Sequence, residues 1–93
     1  MAAGDKARKH AGQAGGLMIE LWEITANGTN AVTLYPGMNH VVGVQATWGA
    51  DIGATGHVLE CTVDNTTNRG SPTVAVTASG AISVTAYIRI EGY

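Results

Sequence analysis

From residue 17 onward, apolar residues recur at every second position in short runs, and glycine, proline and asparagine separate the runs. A period of two is the signature of β-strands, and turn residues between such runs mark reversals of the chain. The first run, 17–25, places Leu17, Ile19 and Leu21 on one face and Met18, Glu20, Trp22 and Ile24 on the other. Both faces are largely apolar, so this strand is expected to be covered on both sides. Asn27-Gly28 supplies a tight turn with positive φ into a short strand, 31–35. Pro36-Gly37 reads as the next reversal, with Gly37 free to take positive φ.

The run 40–48 places Val42, Val44, Ala46 and Trp48 on one face and Val41, Gly43, Gln45 and Thr47 on the other. Gly43 inside a strand points to a bulge or a close backbone approach. After a glycine-rich loop anchored by Ile52, the run 57–64 sets Leu59, Cys61 and Val63 inward against Val58, Glu60, Thr62 and Asp64. A polar loop, 65–72, leads to the last two strands. Val74, Val76 and Ala78 form one inward series; Ile82, Val84, Ala86, Ile88 and Ile90 form the other. Opposed residues of a hairpin share a face. A three-residue loop, 79–81, satisfies this by setting Val76 against Val84, whereas a two-residue turn would set Val76 against Ser83.

These runs predict an all-β fold, an antiparallel β-sandwich or small barrel of about six strands. Residues 17–93 form its single β domain. Residues 1–16 differ: they are small, polar and glycine-rich, without apolar periodicity, and read as a flexible basic N-terminal arm.

Charge sharpens that division. The arm carries Lys6, Arg8 and Lys9 against Asp5, a net of +2, while the body carries Arg69 and Arg89 against Glu20, Glu23, Asp51, Glu60, Asp64 and Glu91, a net of −4. A basic arm on an acidic body favours an acidic protein partner, such as the body of a neighbouring copy. Three cations are too few for nucleic acid, and phosphate would be repelled by the body. No apolar run approaches the ~20 residues that cross a bilayer as a helix, and residues 1–16 lack the apolar segment of a secretory signal.

The 93 residues include no phenylalanine and one cysteine, Cys61, so no disulfide forms within the chain. A core this thin and unstapled points to oligomerisation or docking as a source of stability.

The chemistry-bearing residues do not assemble into a catalytic set. His40 and His57 begin strands, but their one strong nucleophile would be Cys61, which alternation places inward as a small core residue. Glu20 and Glu23, three apart on a strand, point to opposite faces and do not converge as an acid/base pair. Asp51 and Asp64 lack the oxygen-rich spacing of a calcium loop. No catalytic residue, metal site or cofactor is therefore expected. Tyr87, in phase with Thr85 and Arg89, points outward, and an outward tyrosine beside arginine suits a protein contact. The expected partner-binding residues are Lys6, Arg8, Lys9, Trp22, Tyr87 and Arg89.

The Thr/Val/Ala-rich stretch from Thr73-Val74-Ala75-Val76 through Ile88-Arg89-Ile90-Glu91-Gly92-Tyr93 resembles the closing hairpin of small virion proteins of tailed bacteriophages. With the glycine-rich arm and the near-absence of cysteine, the chain is most similar to capsid decoration (cement) proteins. The resemblance implies a β-rich homo-oligomer, a trimer favoured, made in the host cytoplasm and sitting on the virion. There it would bind the major capsid protein or other virion proteins and bridge neighbouring capsomers, without nucleic acid or membrane. A neck, tail or head-fibre component has the same anatomy, and a carbohydrate- or receptor-binding module using Trp22 and Tyr87 is the alternative from another class.

Overall fold

A computed structural model describes residues 4–49, 58–79 and 83–93. Among these residues there are seven strands: β1 (Lys6–Ala14), β2 (Leu17–Thr25), β3 (Val32–Leu34), β4 (Val41–Trp48), β5 (Leu59–Asp64), β6 (Thr73–Ala78) and β7 (Thr85–Gly92). They form two antiparallel sheets, one ordered β1-β2-β7-β4 and the other β3-β6-β5. The two sheets make a small β-sandwich, not a closed barrel.

Alternation builds the core between the sheets. Ile24, Ala86, Ile88 and Ile90 come from the four-stranded sheet, and Val32, Leu34, Val74, Val76 and Ala78 from the three-stranded one. Trp48, Leu59 and Cys61 pack against this cluster as their phase predicts, whereas Val63, expected inward in the same series as Leu59 and Cys61, is exposed at the end of β5.

The N-terminal arm departs from expectation. Instead of hanging free, residues 6–14 pair with β2 along its whole length. Ala14 faces Leu17 across Gly15 and Gly16, both at positive φ, so the two glycines make a two-residue turn of the hairpin-favouring type. Backbone pairing, not apolar burial, holds this strand, which is why hydrophobic periodicity passed over it. Lys9 is the extra residue of a bulge between Arg8 and His10.

The last two strands also depart from the predicted hairpin. Val76 pairs with Val32 and Cys61, and β7 lies between β2 and β4 in the other sheet. The chain changes sheets between Ala78 and Thr85. Two inward series satisfy the same alternation whether they lie side by side or face each other across the core, and here they face. Gly80, on which the predicted loop turned, lies outside the described residues, as do Ile52 and His57.

The bulge expected at Gly43 is present. Val41 faces Gly92 and Gly43 faces Glu91, leaving Val42 as the inserted residue. The insertion resets the phase, so Val41 is buried and Val42 is exposed, opposite to the predicted assignment. Glycine also matters at Gly92, where a Cβ would collide with the His40 carbonyl and the Met38 sulfur. The closeness belongs to a clasp: Asn39 and His40 donate their N–H groups to the Tyr93 carbonyl, Tyr93 N–H donates to the His40 carbonyl, and the two rings stack at 5.2 Å.

Neither expected positive-φ turn occurs at Asn27-Gly28 or Pro36-Gly37. Asn27 instead accepts the N–H groups of Thr29 and Asn30 on its side-chain oxygen. Gly37 is held by a glutamate across the fold.

Candidate functional site

That glutamate is Glu20, the one charged residue of β2 in phase with the core and only 1% exposed. A buried carboxylate persists only where its oxygens are satisfied. Oε2 accepts the Gly37 N–H at 2.6 Å, Oε1 accepts the Trp22 indole N–H at 3.0 Å, and Arg8 Nη1 stands 3.7 Å from Oε2. Glu20 thus ties β1, β2 and the loop after β3 together. Glu23 sits on the opposite face, paired with Lys9 at 3.5 Å. The two glutamates do not converge, as their spacing requires.

The arm's cations all meet their own body. Lys6 donates to the Thr33 carbonyl and its ammonium lies 4.9 Å from the Tyr35 ring centre, while Arg8 and Lys9 reach Glu20 and Glu23. The charge complementarity read between arm and body is satisfied within one chain. Both Arg8 and Lys9 remain at least half exposed, so these pairs are the weak, solvent-screened kind.

The remaining expected contact residues divide by face. Trp22 turns toward the core and spends its indole N–H on Glu20, so it does not form an exposed platform with Tyr87. Tyr87 and Arg89 lie on the outer face of the four-stranded sheet, the side away from the three-stranded one. Tyr87 is 51% exposed and Leu21, diagonal to it on β2, is 41% exposed. Between them lies a shallow cavity of about 450 Å³ bordered by Lys9, Leu21, Trp22, Gln45, Thr47, Tyr87, Ile88 and Arg89. Two ion pairs rim it, Lys9–Glu23 and Arg89–Glu91, the second at 3.1 Å. Leu17 and Ile19 continue the apolar strip along β2 and are only partly buried. The predicted cover for this second face of β2 is therefore not supplied by any described part of the chain.

Tyr87 and Arg89 follow from their phase along β7. Leu21, Gln45 and Thr47 belong to the same surface only because β2 and β4 both flank β7, which alternation does not report. The available signal was Leu21 itself, in an apolar series opposite the one carrying Ile24.

No group of three or more His, Cys, Asp or Glu side chains is arranged to hold a metal among the described residues. Cys61 is half-buried on the inner face of β5, and burial pushes its thiol pKa up, away from the reactive thiolate. Asp64 closes the β5 end: its carboxylate accepts from the Thr67 hydroxyl and N–H and from the Thr66 N–H, which holds its pKa well below the ordinary carboxylate range. This is a loop-capping role, with every acceptor turned inward on its own turn. No helix among the described residues is long and apolar enough to cross a membrane.

Comparison with protein families, with characterised proteins and with solved structures finds no match.

Proposed function

We propose that this chain is a non-catalytic structural protein that oligomerises and attaches to the surface of a viral capsid, bridging and stabilising neighbouring capsomers. The outer face of the four-stranded sheet is the attachment surface. One observation carries the reading: Leu21 and Tyr87 stand open over a cavity, Leu17 and Ile19 continue the apolar side along β2, and the ion-paired Glu23 and Arg89 lie directly beside them, in a domain too small to leave such a face without use. Mixed apolar and charged surface with exposed tyrosine and arginine suits a protein–protein contact, because those two residue types dominate the energetics of such contacts.

The capsid as partner comes from the resemblance of the short, cysteine-poor chain with its glycine-rich arm to bacteriophage decoration proteins. Attachment at a neck, tail or head fibre would use the same face. Glycan or receptor binding in the cavity is favoured by exposed Tyr87 beside Gln45 and Thr47; Trp22 also borders the cavity, but it packs against the core and its indole N–H is spent on Glu20.

Particles purified from the source of this sequence provide the test. The chain should co-purify with them, and Leu21→Asp should abolish its occupancy while the isolated variant keeps its β-sheet circular dichroism. Wild-type occupancy by the Leu21→Asp chain would refute the outer face as the attachment surface.

A further inference from the structure

β1 is the outermost strand of its sheet, and its far edge meets no other described strand. An exposed edge is a template for another strand, and proteins usually guard it with charge, proline, bulges or brevity. The other edges here are guarded. β4 carries the Val42 bulge, and the Asn65 side chain both accepts from and donates to the backbone of Val41. β3 has three residues, and β5 carries Glu60 and Asp64. On β1 the cations and the Lys9 bulge guard only the first half. From Ala11 to Ala14 the strand is regular, contains no proline and bears no ionisable side chain.

The register decides which partner fits. The residues flanking a two-residue turn, here Ala14 and Leu17, exchange backbone hydrogen bonds, and alternate pairs along the ladder do the same. Ala14 and Gly12 therefore direct their backbone groups to β2, and Ala11 and Gln13 direct theirs to the open edge. A second β1 running antiparallel satisfies each of these groups when Ala11 faces Gln13 of the second copy and Gly12 faces its own equivalent. The same register sets Arg8 and Lys9 beside Gly16 and Gly15 of the second copy, keeping the basic halves apart. A parallel pairing would stack each cation on itself. His10 meets Ala14 of the second copy, and its own ring lies over Gly12, where a Cβ would stand 3.0 Å from Nε2, so the ring must swing aside in Gly12 variants.

We propose that β1 is a self-pairing edge through which two copies of this chain join about a two-fold axis, merging their four-stranded sheets into one. The axis is normal to the sheet, so both outer faces lie on the same side and the pair presents two Leu21–Tyr87 surfaces to one partner. Linked contacts of this kind hold far more tightly than single ones. That consequence rests on the attachment reading above; the strand pairing does not, and its test involves no particle.

The test uses the full chain with Cys61→Ser, so that any thiol is introduced by design. Directly opposed residues of a non-hydrogen-bonded antiparallel pair have Cα atoms about 4.5 Å apart, within reach of a disulfide. Under mild oxidation at about 100 μM, Gly12→Cys should form a covalent dimer at least tenfold faster than His10→Cys, which faces Ala14 of the second copy. Gly12→Lys and Gly12→Glu, each monomeric alone in sedimentation analysis, should associate when mixed. Equal cross-linking at positions 10 and 12, no covalent dimer from Gly12→Cys, or no association of the mixed charge variants would each overturn the proposal.

Discussion

Glu20 is the residue on which several parts of the fold converge. Replacing it with alanine strands the Gly37 N–H and the Trp22 indole N–H, and hydrogen bonds to a charged group contribute about 1.5–3 kcal/mol each. Glu20→Ala should therefore lower the unfolding free energy by about 3 kcal/mol in urea titration, a large part of the total for a small domain. Arg8→Ala removes a half-exposed partner at 3.7 Å and should cost less than about 1 kcal/mol. Comparable losses from the two variants would show that the ion pair, not the two neutral donors, fixes this carboxylate. Gly92→Ala tests a different constraint. Its Cβ would meet backbone at His40, so the β7 end and the Tyr93 clasp must shift, and the melting temperature should fall by several degrees or more.

Asp64 gives a pH signature. Its pKa is lowered in the folded chain, first by the Thr67 hydroxyl and then by the Thr67 and Thr66 N–H groups. A depressed carboxylate contributes stability fully above its unfolded value, about 3.9, and loses that contribution as pH falls through the folded value. Asp64→Asn should therefore flatten the decline in melting temperature below about pH 4 while leaving the profile above pH 5 parallel to wild type. An unchanged acid limb would show that the turn does not depend on the ionised carboxylate.

At the scale of the elements, six of the seven strands were legible, because each needs a period of two to bury one face. Ile88 and Ile90 are inward as their spacing requires, and Gly43 marked its bulge. β1 was not legible in that pattern because it buries almost nothing; its signal was the Gly15-Gly16 pair set directly before an apolar strand. The pairing of β6 with β3 and β5 was also hidden. Alternation reports which side of a strand faces the core and is silent on whether its neighbour is beside it or opposite. The site was legible only in part for the same reason: Tyr87 and Arg89 follow from phase, whereas Leu21, Gln45 and Thr47 join them through strand order.

The hairpin carries its own prediction. Deleting residues 1–14 removes a full strand, exposes the β2 edge and takes Arg8 from Glu20. The shortened chain should fold with a clearly lowered melting temperature and lose amide protection along β2. A wild-type melting temperature would mean that β1 is not bound to its own body in solution.

Among the described residues the sandwich encloses its core and leaves Leu21 and Tyr87 open on the other side of the larger sheet, beside Arg89, Gln45 and Thr47. Val42, Val58, Val63, Tyr35 and Tyr93 are also exposed, but among the described residues Leu21 and Tyr87 are the exposed large apolar side chains that share a cavity with ion-paired neighbours. On the proposed attachment, Leu21 and Tyr87 are covered in the assembled state. Hydrogen–deuterium exchange on free and assembled chain does not resolve side chains, whereas hydroxyl-radical footprinting followed by mass spectrometry does. Applied to the chain free and on its particle, it should show Tyr87 and Leu21 oxidised in the free state and strongly protected on the particle, with Tyr35 unchanged. Equal oxidation of Tyr87 and Leu21 in both states would contradict the claim.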